Sequence, residues 1–267
     1  MNRIYLILFV LLLCHTGRAN LIVYPTRVFL SDEKKVANLS LRHIGPTPET
    51  YRGSLIFFRM NEEGALSLAN DPKPEERPAL KYIRFTPRAT TLTPKKEQVL
   101  RVMVAAPRNI PDGDYRAHLH LVPDPAAETE DESKTSGRKL SMELKARMAV
   151  AIPVVYRKGN PTVEVGLQSV KLVSRKDKSA YAVIRLTAKG NAIPYGDLVA
   201  LFRAPGQLEF KQIGLSKGVS FYTPAVWESI DLTSKGHPLN KGTLRLEFRE
   251  SDTEEPKVLA FKEMAVR

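Results

Sequence analysis

Apolar and polar residues alternate with a period of two through most of the chain. Val36 to Leu41, Leu100–Val102–Val104 and Tyr115–Ala117–Leu119–Leu121 each place apolar groups on one face of an extended segment, the pattern of a half-buried strand. Turn signals lie between them: Gly45-Pro46, Asn70-Asp71-Pro72, Pro94, Pro111-Asp112-Gly113 and Asp124-Pro125. No amphipathic helix longer than two turns stands out. Short strands punctuated in this way predict an all-β sandwich.

A second set of strands follows Gly159-Asn160-Pro161. Its clearest members are Thr162 to Val173, Ala180 to Thr187, Asp197 to Arg203, Thr243 to Phe248 and Val258 to Val266. The break predicts two domains, residues 20–157 and 158–267, each of ordinary sandwich size. One strand is unusually long. Leu140, Met142, Leu144, Ala146, Met148, Val150 and Ile152 alternate with Ser141, Glu143, Lys145 and Arg147, against a usual strand of about 5–6 residues. A polar loop, Ala126 to Lys139, carrying Glu128, Glu130, Asp131 and Glu132, precedes it. The readings stay open: one long inner strand or a strand that bends between two sheets, against a strand kept available for a partner chain by β-augmentation.

The N-terminus changes the picture. Arg3 precedes the uncharged apolar run Ile4 to Leu13, and Gly17 and Ala19 are small residues before Asn20. This reads as a secretory signal peptide over residues 1–19, too short in its apolar part for a membrane span. Cys14, the single cysteine among 267 residues, would leave with it. The mature chain would then form no disulfide and hold no thiolate zinc site. Removing Arg3 and Arg18 lowers the formal net charge of +12 by two. The remaining Lys and Arg are scattered, without a basic run or a nucleic-acid motif, so nucleic acid is not an expected partner.

Chemistry-bearing patterns are few. Gly214-Leu215-Ser216-Lys217-Gly218 matches the G-x-S-x-G elbow of serine hydrolases, with Asp231 and His237 following. The elbow needs a helix after the serine, and Val219-Ser220-Phe221-Tyr222-Thr223-Pro224 is strand-like. A serine hydrolase at Ser216 is therefore a remote alternative. His118 and His120 share one face of a strand. They could hold a metal, but no third ligand is evident nearby, and two partly exposed strand histidines is the favoured reading. Neither metal nor other cofactor is expected, and the chain does not read as an enzyme.

Several segments, in order, resemble the periplasmic pilus-assembly chaperones of the chaperone–usher system. Tyr24-Pro25-Thr26-Arg27-Val28-Phe29 resembles that family's first strand. Phe85-Thr86-Pro87-Arg88-Ala89-Thr90-Thr91-Leu92-Thr93-Pro94, with Gln98 and Leu100-Arg101-Val102, resembles its Pro-bounded segment and next strand. Ile110-Pro111-Asp112-Gly113-Asp114-Tyr115-Arg116, Val154-Val155-Tyr156-Arg157, Gly190-Asn191 and Tyr195-Gly196-Asp197-Leu198 match further along. The resemblance covers essentially the whole mature chain.

It implies two immunoglobulin-like sandwiches set at an angle, in a non-enzymatic protein of the periplasm, with no membrane insertion of the mature chain. It implies a pilin subunit as partner, its open core filled by the long strand: Leu140, Met142, Leu144, Ala146, Met148 and Val150. An outer-membrane usher would receive the subunit. Self-association of the free form stays open. The resemblance also implies a basic pair that anchors the subunit's C-terminal carboxylate. Arg27 matches its first member. Pro153 stands where the second, a Lys, is expected, and Arg88 is the candidate to replace it. Arg157 matches an interdomain arginine, with Asp114 as its nearest acidic partner. The rival reading is an exported adhesin or pilus subunit.

Overall fold

The structure, a computed structural model, describes residues 21–124, 148–175, 179–232 and 241–266. The strands of its first half are β1 (Leu21–Tyr24), β2 (Val28–Ser31), β3 (Val36–His43), β4 (Glu49–Ile56), β5 (Phe58–Met60), β6 (Leu66–Leu68), β7 (Ile83–Thr86), β8 (Ala89–Leu92), β9 (Glu97–Val104), β10 (Gly113–Pro123) and β11 (Val150–Lys158). Those of the second are β12 (Val163–Ser174), β13 (Ala180–Gly190), β14 (Tyr195–Arg203), β15 (Lys211–Ser220), β16 (Ala225–Leu232), β17 (Gly242–Glu250) and β18 (Val258–Val266). Among the described residues the only helical element is a single 3-10 turn, Pro74–Glu76.

Two sandwiches result. In the first, a sheet ordered β1-β3-β9-β7 faces one ordered β2-β11-β10-β4-β8. In the second, β12-β13-β16 faces β15-β14-β17-β18. Period-2 alternation builds each core. Leu39 and Leu41, Leu100 and Val102, and Ala117, Leu119 and Leu121 are buried in the first. Ala182, Ile184 and Leu186 meet Leu198, Leu244, Leu246 and Phe248 in the second. Each Val, Leu, Ile or Phe among them is worth about 1.5–3 kcal/mol when fully buried. The alternation of β3 has the opposite phase to the one its start suggests: Ala37 packs on the core, while Val36 is exposed.

The hairpin β5–β6 leaves the first sandwich and reaches the second. Met60 packs on the second core. Trp227 on β16 donates its backbone N–H to the carbonyl of Glu62, and Arg185 on β13 pairs with the Glu62 carboxylate at 3.0 Å. The predicted strand list lacked β15 and β16. Their apolar positions are broken by Gly214, Gly218, Glu228 and Ser229, so neither shows a clean alternation.

The signal-peptide reading falls on residues 1–19, outside the described residues. So do Leu140, Met142, Leu144 and Ala146. No helix among the described residues is long and apolar enough to cross a membrane.

Candidate functional site

The site lies where the two sandwiches meet, on the outer face of β10. Alternation sends Ala117, Leu119 and Leu121 inward, so Asp114, Arg116, His118 and His120 take the opposite face of the same strand. That face is covered as well. Phe57 and Phe58 of the first sandwich and Tyr222 of the second close over it, leaving Arg116 3% and His118 2% exposed. The Arg116 guanidinium lies between two rings, 4.2 Å from the centre of Phe57 and 3.9 Å from that of Tyr222. It donates to the Phe58 carbonyl at 2.6 Å. Burial lowers its pKa to about 10. His118 meets Phe58 and Tyr222 edge to face, at 5.0 and 6.1 Å. Neither of its ring nitrogens has a hydrogen-bond partner. Burial, then the charges of Arg116 and Arg27, holds its pKa down at about 3. The expectation of two partly exposed strand histidines therefore fails for His118. Its covers come from segments far away in sequence, which alternation along one strand does not reveal. His120 is half-buried.

Arg27 ends the β1–β2 connection. Val28 pairs with Val154, which sets Arg27 level with Pro153 on β11, and Pro153 in turn pairs with His118 on β10. Arg27, just before β2, thus stands level with Pro153 on β11 and His118 on β10. The Arg27 guanidinium reaches across to the second sandwich, 4.8 Å from the ring centre of Tyr195, which also packs on Phe29 at 5.2 Å. Its Nη1 is buried and without an acceptor. A buried charged donor lacking an acceptor is costly, since desolvation is uncompensated.

A second cluster fixes the joint. Arg157 holds Asp114 with two parallel bonds, Nε to Oδ1 at 2.9 Å and Nη2 to Oδ2 at 2.7 Å. The Asp114 carboxylate, wholly buried, also accepts the backbone N–H of Ile193 at 2.8 Å, and the Asp114 backbone N–H donates to the Asn191 carbonyl. The Arg157–Asp114 pair thus ties β10 and β11 to the second sandwich. Next to it, Asp32 accepts from Tyr156 at 2.7 Å and pairs with Lys158 at 2.9 Å. These bonds, that to Lys158 foremost, lower the Asp32 pKa to about 2. Gly159 closes the connection at φ +62°, where a Cβ would sit 2.2 Å from the Asp112 carboxylate.

Arg88 stands apart from Arg27. It precedes β8, at the opposite edge of the sheet from β2. Four strand spacings separate those edges, about 19 Å at 4.7–4.9 Å each. Arg88 is exposed and stacks on Phe85 at 4.4 Å. The resemblance offered Arg88 as the second member of the basic pair, but sheet order carries it away from Arg27. Met148 is 54% exposed, whereas Val150 packs on the first sandwich's own core. Val150 is thereby committed within the chain and leaves the set of free side chains.

Ser216 lies within β15, paired with Leu198, and no helix follows. Asp231 pairs with Arg175 at 2.6 Å. His237 lies outside the described residues. The strand–turn–helix that an elbow requires is absent from this segment. No group of His, Cys, Asp or Glu among the described residues is placed to hold a metal ion.

No family model and no curated protein matches the sequence. Among solved structures, the chain is similar to the CsuC–CsuE chaperone–tip adhesion subunit complex of Acinetobacter baumannii, at 14% identity and TM-score 0.44, over 92% of this chain and 98% of that one. It is similar to the Pseudomonas aeruginosa CupB2 chaperone at 15% identity and TM-score 0.40, over 92% and 100%. A third is the Salmonella enterica SafA pilin in complex with the SafB chaperone, at 12% and 0.43, over 94% and 98%. Likenesses this distant decide nothing about function, which has to come from the residues.

Proposed function

We propose that this chain is a periplasmic chaperone of pilus subunits. It lends the alternating segment from Leu140 to Met148 to a subunit's open core and delivers that subunit to an outer-membrane usher. The observation that carries the reading is Arg27: a guanidinium at the joint of two sandwiches, its Nη1 buried with no acceptor. Such a donor suits the terminal carboxylate of a bound subunit, because a charge-assisted bond in a desolvated cleft is among the stronger polar contacts. From there a subunit strand would run along the first sandwich toward the connection between β10 and β11. In that connection Leu140, Met142, Leu144 and Met148 alternate along the sequence, the spacing that fills alternate pockets of a partner.

The test is a periplasmic pull-down of the tagged protein, wild type beside Arg27→Ala and Arg88→Ala. Wild type and Arg88→Ala are expected to hold a small β-rich subunit one-to-one, and Arg27→Ala to lose it. Wild type that captures no subunit, even with neighbouring exported subunits co-expressed, overturns the reading. The joint is also expected to hold the two sandwiches in fixed relation through Arg157 and Asp114, in a structural rather than a binding role.

A further inference from the structure

Four buried side-chain polar atoms among the described residues have no hydrogen-bond partner: Arg27 Nη1, His118 Nδ1 and Nε2, and Ser220 Oγ. All of them belong to the joint. Ser220 pairs with Tyr195 across β14 and β15, so its side chain shares a face with the ring that stacks on Arg27. Tyr222, two residues on, covers His118. Buried polar atoms are almost always satisfied. Unmet polar atoms scattered at random would not gather on three residues that line one seam. A guanidinium, an imidazole and a hydroxyl form a donor set for an anion.

We infer that Arg27, His118 and Ser220 together bind a carboxylate at the joint, and that His118 takes up a proton as the carboxylate docks. This rests on the reading of the chain as a subunit chaperone, and makes the bound group the C-terminal carboxylate of an extended polypeptide.

The charges around His118 fix the direction of the coupling. Arg116 faces it from β10 and Arg27 from the β1–β2 connection. Pro153 on β11 and Phe58 on the hairpin bring no charge, and Tyr222 brings only a phenol. His120 follows on the same face of β10. Glu76, the acid that acts on Arg116, is engaged by Arg59 at 2.6 Å, and Asp114, on the same face of β10, is held by Arg157 at 2.7 Å. No carboxylate therefore balances the imidazole, which stays neutral in the free protein. An incoming carboxylate supplies the missing negative charge and favours the protonated ring, which can donate from both nitrogens. If docking restores an ordinary imidazole pKa of about 6.5, binding tightens by about 25-fold between pH 7 and pH 5. The terminal carboxylate itself, ordinarily near 3.3–3.7, stays ionised through that range.

The test is calorimetric titration of the mature chain with a peptide of alternating Val and Thr ending in a free carboxylate, beside its C-terminal amide. Buffers of different ionisation enthalpy count the protons. The acid is expected to bind about 25-fold more tightly at pH 5 than at pH 7, with most of one proton taken up at pH 6, and the amide to bind weakly at both. His118→Gln should bind the acid without proton uptake or pH dependence. In wild type, the imidazole resonances of His118 should titrate near pH 6.5 with the peptide acid present and below pH 4 without it. Arg27-dependent binding that is flat with pH and takes up no proton overturns the inference and leaves the chaperone reading standing. Equal binding of acid and amide overturns the carboxylate site. Failure of the acid to bind, together with failure of subunit capture in the pull-down, overturns both.

Discussion

His118 makes the stability of the first sandwich depend on pH in a window that the acids of this joint do not share. Its imidazole is 2% exposed and is held at about 3 by burial and two arginines, against an ordinary value of 6.5. The unfolded chain therefore binds a proton that the folded chain refuses. A depressed base loses stability as pH falls below its unfolded pKa, and the loss ends only near the folded one. At pH 5 the cost is about 2 kcal/mol relative to pH 8, from roughly 1.4 kcal/mol per unit over the one and a half units below 6.5. Asp32 and Glu76 sit at about 2. Their contributions are lost only as pH falls below the ordinary carboxylate range, so they leave the interval from 5 to 8 nearly untouched. The assay is equilibrium urea unfolding at pH 5 and pH 8, in buffers free of carboxylates. It is read from the amide signals of Ala117 and Leu119 on β10, because a whole-chain probe would mix two sandwiches. His118→Leu, which removes both unpaired nitrogens at similar volume, should erase about 2 kcal/mol of the difference between the two pH values. Other histidines contribute equally to both proteins and cancel. A variant that keeps the wild-type difference to within about 0.5 kcal/mol refutes the reasoning, since additivity of distant sites is good only to that level.

Two further outcomes follow from the joint and the long strand. Arg157→Ala leaves the buried Asp114 carboxylate with a single backbone donor and should cost about 2–3 kcal/mol in urea unfolding, less than a fully buried pair because Arg157 is half-exposed. Adding Asp114→Asn should recover part of that loss, and strictly additive losses would show that the pair is not coupled. Leu144→Asp places a charge in the middle of the alternating segment. It should abolish subunit capture by a protein that still unfolds at the wild-type urea midpoint, and unchanged capture would remove Leu144 from the donor set.

The all-β architecture was legible because burial in a sandwich writes itself along the chain. Ala117, Leu119 and Leu121 alternate since one side of β10 is core. Arg27 was legible through its place in the first-strand motif. Arg116 and His118 were not, because the outer face of β10 is buried by Phe57, Phe58 and Tyr222, which lie far from it in sequence. Nothing local distinguishes such a face from one open to water, except that two histidines and an arginine recur there at i, i+2 and i+4. Arg88 shows the same limit in reverse: a basic residue offered as the partner of Arg27, carried to the far edge of the sheet by strand order.

Pro153 and His118 explain each other. In the resembled family a lysine is expected at position 153, between the strand that follows Arg27 and the strand that bears His118. Proline offers neither charge nor N–H there, so a bound anion must be met from the flanking strands alone. Arg27 supplies a permanent charge, and His118 one that depends on a proton. Pro153→Lys separates these contributions, because an ammonium needs no acid to be charged. It should raise the affinity for the Val/Thr peptide acid at pH 7 by about tenfold, the equivalent of roughly 1.4 kcal/mol and of one charge-assisted bond. The gain should shrink toward pH 5, where His118 is already protonated in the complex, and the bound His118 should titrate lower beside the new cation. Free Pro153→Lys should be less stable than wild type, since it adds a third positive group, after Arg27 and Arg116, where the buried acid Asp114 is already held by Arg157. An affinity at pH 7 that stays level or falls, in a variant that remains folded, would show that charge at position 153 does not reach the carboxylate. His118, one strand further on, would then lose its claim to reach it.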